Sequence, residues 1–275
     1  MIPFVTWQAK RLAALTAEDG WLNLTDRVEI PPGAQRLGSA PDNDLILSVG
    51  PGHLGTLTAD ATTAQLTTAR PIKASMLSSG LANEGPTTDG LTAADQTQIF
   101  TATATNPNPV LRVGDLLLEL HTVEGQPALR VRDLTLPRAI ALPAYPFDPA
   151  WVILARWQAL AAPQAQSNDQ KGAGPIKVTL THRAHFSRGG YEIALLATHW
   201  KQGLPMFVIR DATSGTETYP ASRFLIAEPE GDTITLDFNR AHNPPCAFTD
   251  FAICPLPPRE NRLAFAVRAG ERKLV

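Results

Sequence analysis

Residues 21–24, Trp21-Leu22-Asn23-Leu24, change the hydrophobic period of the chain and with it the fold class. Upstream, Trp7, Arg11, Ala14 and Leu15 recur at helical spacing among Ala, Gln, Lys, Arg and Leu, so residues 4–19 read as one helix that Gly20 ends. From Trp21 the alternation is two, and it returns in Leu45-Ile46-Leu47 between the turn clusters Pro31-Pro32-Gly33 and Pro51-Gly52. That period sends successive side chains to opposite faces, as in a half-buried strand. Residues 115–122 and 128–133 read as a strand pair turned at Glu124-Gly125, and 176–180, 191–197, 206–209 and 233–238 as further short strands. The prediction is a mostly β protein with an N-terminal helix.

Working outward, the 275 residues include 24 Pro, 19 Gly and two Cys, a profile of many turns without a disulfide framework. With 44% hydrophobic and 18% charged residues the chain buries a real core and is not disordered. A formal charge of -2 gives no general attraction to nucleic-acid phosphates or anionic lipid, so neither nucleic acid nor membrane is expected as a partner. Neither a signal-type apolar run nor a membrane-spanning one occurs, and the expected location is cytoplasmic, with Cys246 and Cys254 as thiols.

Four segments are expected: the helix at 1–19, a β-sandwich at 20–135, a connector and flexible loop at 136–175, and a second β domain at 176–275. Residues 161–175 (AAPQAQSNDQKGAGP) are small, polar and aperiodic, which suggests the flexible loop, and 139–157 read as a proline-bearing connector. Residues 78–108, rich in Thr, Ala, Asn and Gly, read as a long excursion. The second domain, a sandwich or barrel, is expected to be closed by the proline-rich loop that follows residue 243.

The strip Arg36-Leu37-Gly38-Ser39-Ala40-Pro41-Asp42-Asn43-Asp44-Leu45-Ile46-Leu47, with Gly52-His53-Leu54, resembles the start of a forkhead-associated β-sandwich. In that family a Gly-Arg pair precedes an Asn-Asp-Ile-x-Leu strand, and a Ser-x-x-His turn follows. Gly38, Asn43-Asp44-Leu45 and His53 fit, but Ser39 stands at the phosphate-binding Arg and Gly50 at the Ser. A hydroxyl supplies neither the charge nor the bidentate donors that a phosphate dianion needs.

A second resemblance rests on Arg210-Asp211-Ala212-Thr213-Ser214-Gly215, Tyr219, Arg223-Phe224-Leu225, Leu236 through Phe248, Cys254-Pro255-Leu256-Pro257-Pro258, Glu260-Asn261-Arg262-Leu263 and Ala269-Gly270-Glu271. It also takes in Glu18-Asp19-Gly20-Trp21-Leu22, Arg130-Val131-Arg132-Asp133 and Pro146-Phe147-Asp148-Pro149. Together these are similar to domain of unknown function 1684 over nearly the whole chain. His242 stands where that family usually has Tyr, and Leu134 where it often has Pro. The resemblance implies a shared site but no activity.

Chemistry is expected in residues 236–262, where five prolines, at 244, 245, 255, 257 and 258, exclude helix and central strand. A rigid loop on a β scaffold can hold preorganised polar groups, because proline already restricts the unfolded chain. The functional reading is a pocket for a polar or anionic small molecule formed by Arg210, Tyr219, Arg223, Asp237, Asn239, Asn243, Cys246 and Asn261. Asp237, Cys246 and His242 are its candidate catalytic groups. The plainer reading is that the Asn and Asp side chains satisfy backbone groups of a loop without ladder bonds. For Cys246 to be a nucleophile it needs a base; His242 is four positions away, but Pro244-Pro245 between them favour an extended backbone. No metal or cofactor is expected: no Cys-x-x-Cys knuckle accompanies His182, His185, His242 and the cysteines, and no P-loop, Gly-x-Ser-x-Gly elbow or dinucleotide motif occurs. The rival function is an interaction protein that holds a peptide with sandwich loops 38–44 and 50–55.

Overall fold

The computed structural model describes residues 2–68, 74–77 (backbone only), 97–123 and 125–274. Among the described residues strand makes up 47% and helix 10%, so the fold is mostly β, with an N-terminal helix, α1 (Phe4–Thr16). The chain divides into two units, residues 10–139 and residues 1–9 with 140–275. No described helix is long and apolar enough to cross a membrane.

The first unit holds β1 (Leu24–Glu29), β2 (Gln35–Gly38), β3 (Leu45–Ile46), β4 (Gly55–Ala59), β5 (Thr63–Thr68), β6 (Ala74–Leu77), β7 (Thr97–Thr101), β8 (Val110–Val113), β9 (Leu116–Val123) and β10 (Gln126–Asp133). They form two five-stranded sheets, ordered β1-β10-β9-β8-β6 and β3-β2-β4-β5-β7. Strand β5 shows the sandwich rule plainly: Ala64, Leu66 and Thr68 are buried while Gln65 and Thr67 face solvent. One core joins Leu37, Leu57, Leu66 and Phe100 of one sheet to Leu111, Leu118, Leu120 and Leu129 of the other. Each such side chain contributes roughly 1.5–3 kcal/mol by leaving water.

Two polar arrangements complete this unit. Glu119 takes Arg130 at 2.8 Å and Arg132 at 2.6 Å, and although burial pushes its carboxyl up, the two guanidiniums outweigh that and hold it below the usual range. At the strip resembling the forkhead-associated family, Asn43 Nδ2 donates to the carbonyls of Ala40 (2.8 Å) and Gly52 (2.7 Å), which fastens one loop to the next. Gly38 allows that approach, since a Cβ there would sit 2.2 Å from the Gly52 carbonyl oxygen.

The second unit holds β11 (Val152–Asn168), β12 (Gln170–Lys171), β13 (Ile176–Arg188), β14 (Tyr191–Leu196), β15 (His199–Lys201), β16 (Leu204–Ile209), β17 (Arg223–Ile226), β18 (Pro229–Glu230), β19 (Thr233–Asp237) and β20 (Cys254–Pro255). A five-stranded sheet, β14-β13-β11-β19-β18, faces a three-stranded one, β15-β16-β17, across a core of Trp151, Trp157, Phe186, Leu195, Phe207, Ile209, Leu225 and Phe238. Strands β12 and β20 pair separately, and among the described residues no sheet closes into a barrel.

Three expectations are corrected. The segment expected to be flexible, 161–175, begins as the far half of β11, paired with β13 from Gln164↔Leu180 to Asn168↔Ile176, and continues into β12. Small polar residues suffice there because the ladder is made of backbone groups; Pro163 falls in the interruption between Ala159 and Gln164, where no donor is required. The expected connector at 139–157 becomes strand from Val152. The helix ends at Thr16 rather than Asp19, and its first turn belongs with the second unit, where Phe4 packs on Phe147 at 5.2 Å. Of the excursion expected at 78–108, residues 78–96 lie outside the described residues; Thr97–Thr101 is β7.

Candidate functional site

The residues proposed from sequence do not gather in one pocket. Asp237 caps a 3₁₀ turn over Phe238–Arg240, accepting from the Asn239 backbone (3.1 Å) and side chain (2.9 Å) and from Arg240 Nε (2.8 Å). Asn239 turns the other way: its Oδ1 accepts from Asp148 N at 2.9 Å, and its Nδ2 also donates to Asp148 O at 3.0 Å. The Pro-Phe-Asp-Pro and Asp-Phe-Asn-Arg motifs are thus the two halves of one clasp.

Arg223 is 1% exposed and belongs to a second knot. Its guanidinium holds Asp211 at 2.8 Å and donates to the carbonyls of Val267 (2.9 Å) and Ala269. Asp211 also accepts from Thr213 and from Val267 N, so the Arg-Asp motif and the C-terminal Ala-Gly-Glu motif form one buried network. Gly270 has φ +80° and lies where a Cβ would meet the Ala241 carbonyl oxygen at 2.3 Å, which reserves that position for glycine. Next to it, Asn243 N donates to Glu271 Oε2 (2.7 Å) and its side chain to Arg272 O (2.8 Å). Asn261, fully buried, stands in for a strand: it exchanges two hydrogen bonds with the Leu196 backbone (2.8 and 2.9 Å) and donates to Val208 O (3.0 Å). Arg210 is exposed, its backbone bridged to residues 261–263.

His242 packs against Trp7 and Phe224, with a ring nitrogen 3.1 Å from the Arg240 carbonyl. It is not the partner of Cys246. Among the described residues no group of three His, Cys, Asp or Glu side chains is placed to hold a metal.

What the structure does bring together is Tyr219 and Cys246, with two neighbours the sequence reading left out of the site, Lys171 and Cys254. The Lys171↔Cys254 pair of β12 and β20 sets the ammonium over this region, and Cys246 sits on the 3₁₀ turn Pro245–Ala247. Lys171 Nζ donates to Tyr219 Oη (3.1 Å) and to the Cys246 carbonyl (3.2 Å), which also accepts from the Tyr219 hydroxyl. Cys246 N donates to Cys254 Sγ at 3.3 Å. Both thiols are free and buried, while the Lys171 side chain keeps 41% of its surface in solvent.

The electrostatics of this cluster are uneven. A hydrogen bond from the Cys254 thiol, then the Tyr219 hydroxyl and the Lys171 charge, overcome burial and bring Cys246 down to about 7. Cys254, the donor in that bond, is pushed up by it and by burial. Burial likewise raises Tyr219, to about 12. Lys171 was legible only as a cation in a supposedly loose segment; the strand that places it was the missing signal.

A separate cavity of about 350 Å³ lies in the same unit, lined by Tyr191, Ile193, Glu260, Arg262, Phe265 and their neighbours. Tyr191 and Phe265 lie 5.7 Å apart between ring centroids and form its aromatic wall.

Residues 140–272 match the family described as "Protein of unknown function (DUF1684)". The Glu18–Leu22 and Arg130–Asp133 motifs, which made the likeness seem nearly full length, lie outside that span. No curated protein matches the chain. A solved structure that does is the solution NMR structure of an uncharacterized protein of Haloarcula marismortui, 30% identical over 48% of this chain and 75% of that one. Its TM-score is 0.40, too low an overlay to argue from. Over residues 140–272, just under half of its length, the chain is thus similar to the DUF1684 family.

Proposed function

We propose that the second unit binds a small polar or anionic molecule in the cavity walled by Tyr191 and Phe265, with Arg262 as its charged anchor. The observation that carries this reading is the cavity itself: about 350 Å³ of concave space with an aromatic wall, Ile193 and Leu263 as apolar lining, and a guanidinium at the rim. Arg210, bridged to Arg262 through the backbone, adds a second exposed cation beside it. Glu192 and Glu260 share the rim, so a zwitterion suits the site better than a simple anion. Neither cysteine nor any histidine lines the space, and binding rather than turnover is the reading. Asp237, Asn239, Asn243, Arg223 and Asn261 then act by holding the walls. A thermal-shift panel of small carboxylates and zwitterions tests it: a rise in Tm with at least one compound, lost in R262A, is expected, and no rise, or an equal rise in R262A, overturns it.

A second reading, a peptide partner on the sandwich loops, is favoured by a shallower hollow of about 260 Å³ lined by Arg36, Asn43, His53, Thr56 and Thr67. Arg36 is already paired with Asp44 at 2.9 Å, and Ser39 donates to the Gly50 carbonyl. The phosphate grip of the forkhead-associated family would have to be built without them. Binding of the full chain to a phosphothreonine peptide array would favour this reading over the cavity.

A further inference from the structure

The thiol cluster lines no part of the proposed binding cavity, and holding the fold together does not require its unequal charges. Two cysteines eight positions apart meet at a backbone-to-sulfur distance of 3.3 Å. Pro244 and Pro245 on one side, and Pro255, Pro257 and Pro258 on the other, restrict the backbone around each. A cation with two-fifths of its side-chain surface in water stands beside them, and a phenol hydroxyl reaches the same residue. We propose that Cys246 and Cys254 form a peroxide-oxidised dithiol, in which Cys246 is the attacking sulfur and Cys254 the resolving one.

The steps balance with a peroxide as the oxidant. The Cys246 thiolate attacks the peroxide oxygen–oxygen bond; a sulfur–oxygen bond forms, the oxygen–oxygen bond breaks, and the departing oxide takes up a proton. Sulfur is oxidised to the sulfenic acid and the peroxide is reduced to water or an alcohol. The Cys254 sulfur then attacks the Cys246 sulfur, gives up its proton, and displaces hydroxide as water. The disulfide is the product.

Beside the 3.3 Å contact from Cys246 N to Cys254 Sγ, the opposite shifts of the two thiols fit this order of steps. While Cys246 is anionic, Cys254 must remain protonated as its donor, and it is pushed up for that reason. Once Cys246 carries oxygen its negative charge is gone, and with it the first cause that held the Cys254 proton. The resolving thiol is released by the first step.

The test uses the full chain treated with a slight excess of hydrogen peroxide near pH 7, read by intact mass and peptide mapping. Expected is a loss of about 2 Da, reversed by a thiol reductant, with the Cys246 and Cys254 peptides joined. In C254S the reaction stops at a sulfenic acid on Cys246, a gain of about 16 Da that dimedone traps. In C246S, checked for native circular dichroism, Cys254 stays reduced at the same dose. Two free thiols persisting in the wild-type chain overturn the proposal without any variant, as does oxidation of Cys254 at the wild-type rate in C246S.

Discussion

Two polar regions of the second unit use similar residues to opposite ends. Around Arg223 the charged groups are tied into one buried network: guanidinium to Asp211 and to the carbonyls of Val267, Ala269 and Glu271, Asp211 to Thr213 and Val267, with Arg223 Nε buried and unbonded. Around Cys246, a cation again sits beside an acid, but the acid is a thiol, its partners are a second thiol and a phenol, and the cation is part-way in solvent. The first arrangement removes charge from water and pairs it, which makes scaffold. The second leaves a proton whose position is set by its neighbours. Burial alone does not separate structural from reactive groups; what separates them is whether the hydrogen bonds hold a fixed charge or move a titration.

Breaking the first region has the largest effect. Arg223→Met leaves Asp211 buried without its cation and frees three carbonyls, and we expect the second unit to lose about 3–5 kcal/mol, measured by urea denaturation. A loss under about 1 kcal/mol would mean that this knot is not scaffold. Asn261→Ala orphans the Leu196 backbone and the Val208 carbonyl, with an expected loss of about 2–3 kcal/mol in the same measurement.

The second region is expected to answer in reactivity rather than stability. Cys254→Ala removes the first cause of the low Cys246 value, so the midpoint of its alkylation moves from about 7 towards the ordinary thiol value of about 8.5. Lys171→Met moves the midpoint the same way by less, since its charge ranks behind the two hydrogen bonds and its side chain is screened by water. Stability should change by no more than about 0.5 kcal/mol in K171M, as for most partly exposed surface positions. A K171M profile that overlays the wild type would remove the ammonium from the cluster.

The sequence made the fold class plain through short runs between turns, such as residues 191–197 and 233–238, which form β14 and β19, although the alternation at residues 21–24 does not form a strand, since β1 begins only at Leu24. It failed at residues 161–175, where the ladder depends on a partner strand and the side chains carry no pattern. That failure hid Lys171. The proline-rich loop was correctly singled out as irregular, yet several of its polar side chains answer backbone needs at distant points: Asn239 at Asp148, Asn243 at Arg272, Asn261 at Leu196. Spacing along the chain could not show this, because those partners lie 91, 29 and 65 positions away. The pairing of Tyr219 with Cys246 crosses 27 positions and was reached only by grouping motifs.

The most direct test of the division between scaffold and reactive cluster is the pH profile of iodoacetamide alkylation at each cysteine of the full-length protein, read by peptide mass. A thiol reacts as its thiolate, so a depressed value keeps Cys246 reactive down to about pH 7 and lets reactivity fall only below it. The account predicts a Cys246 midpoint near 7 with Cys254 unreactive across the same range. Equal profiles for the two cysteines, both with the midpoint of an ordinary thiol, would contradict it.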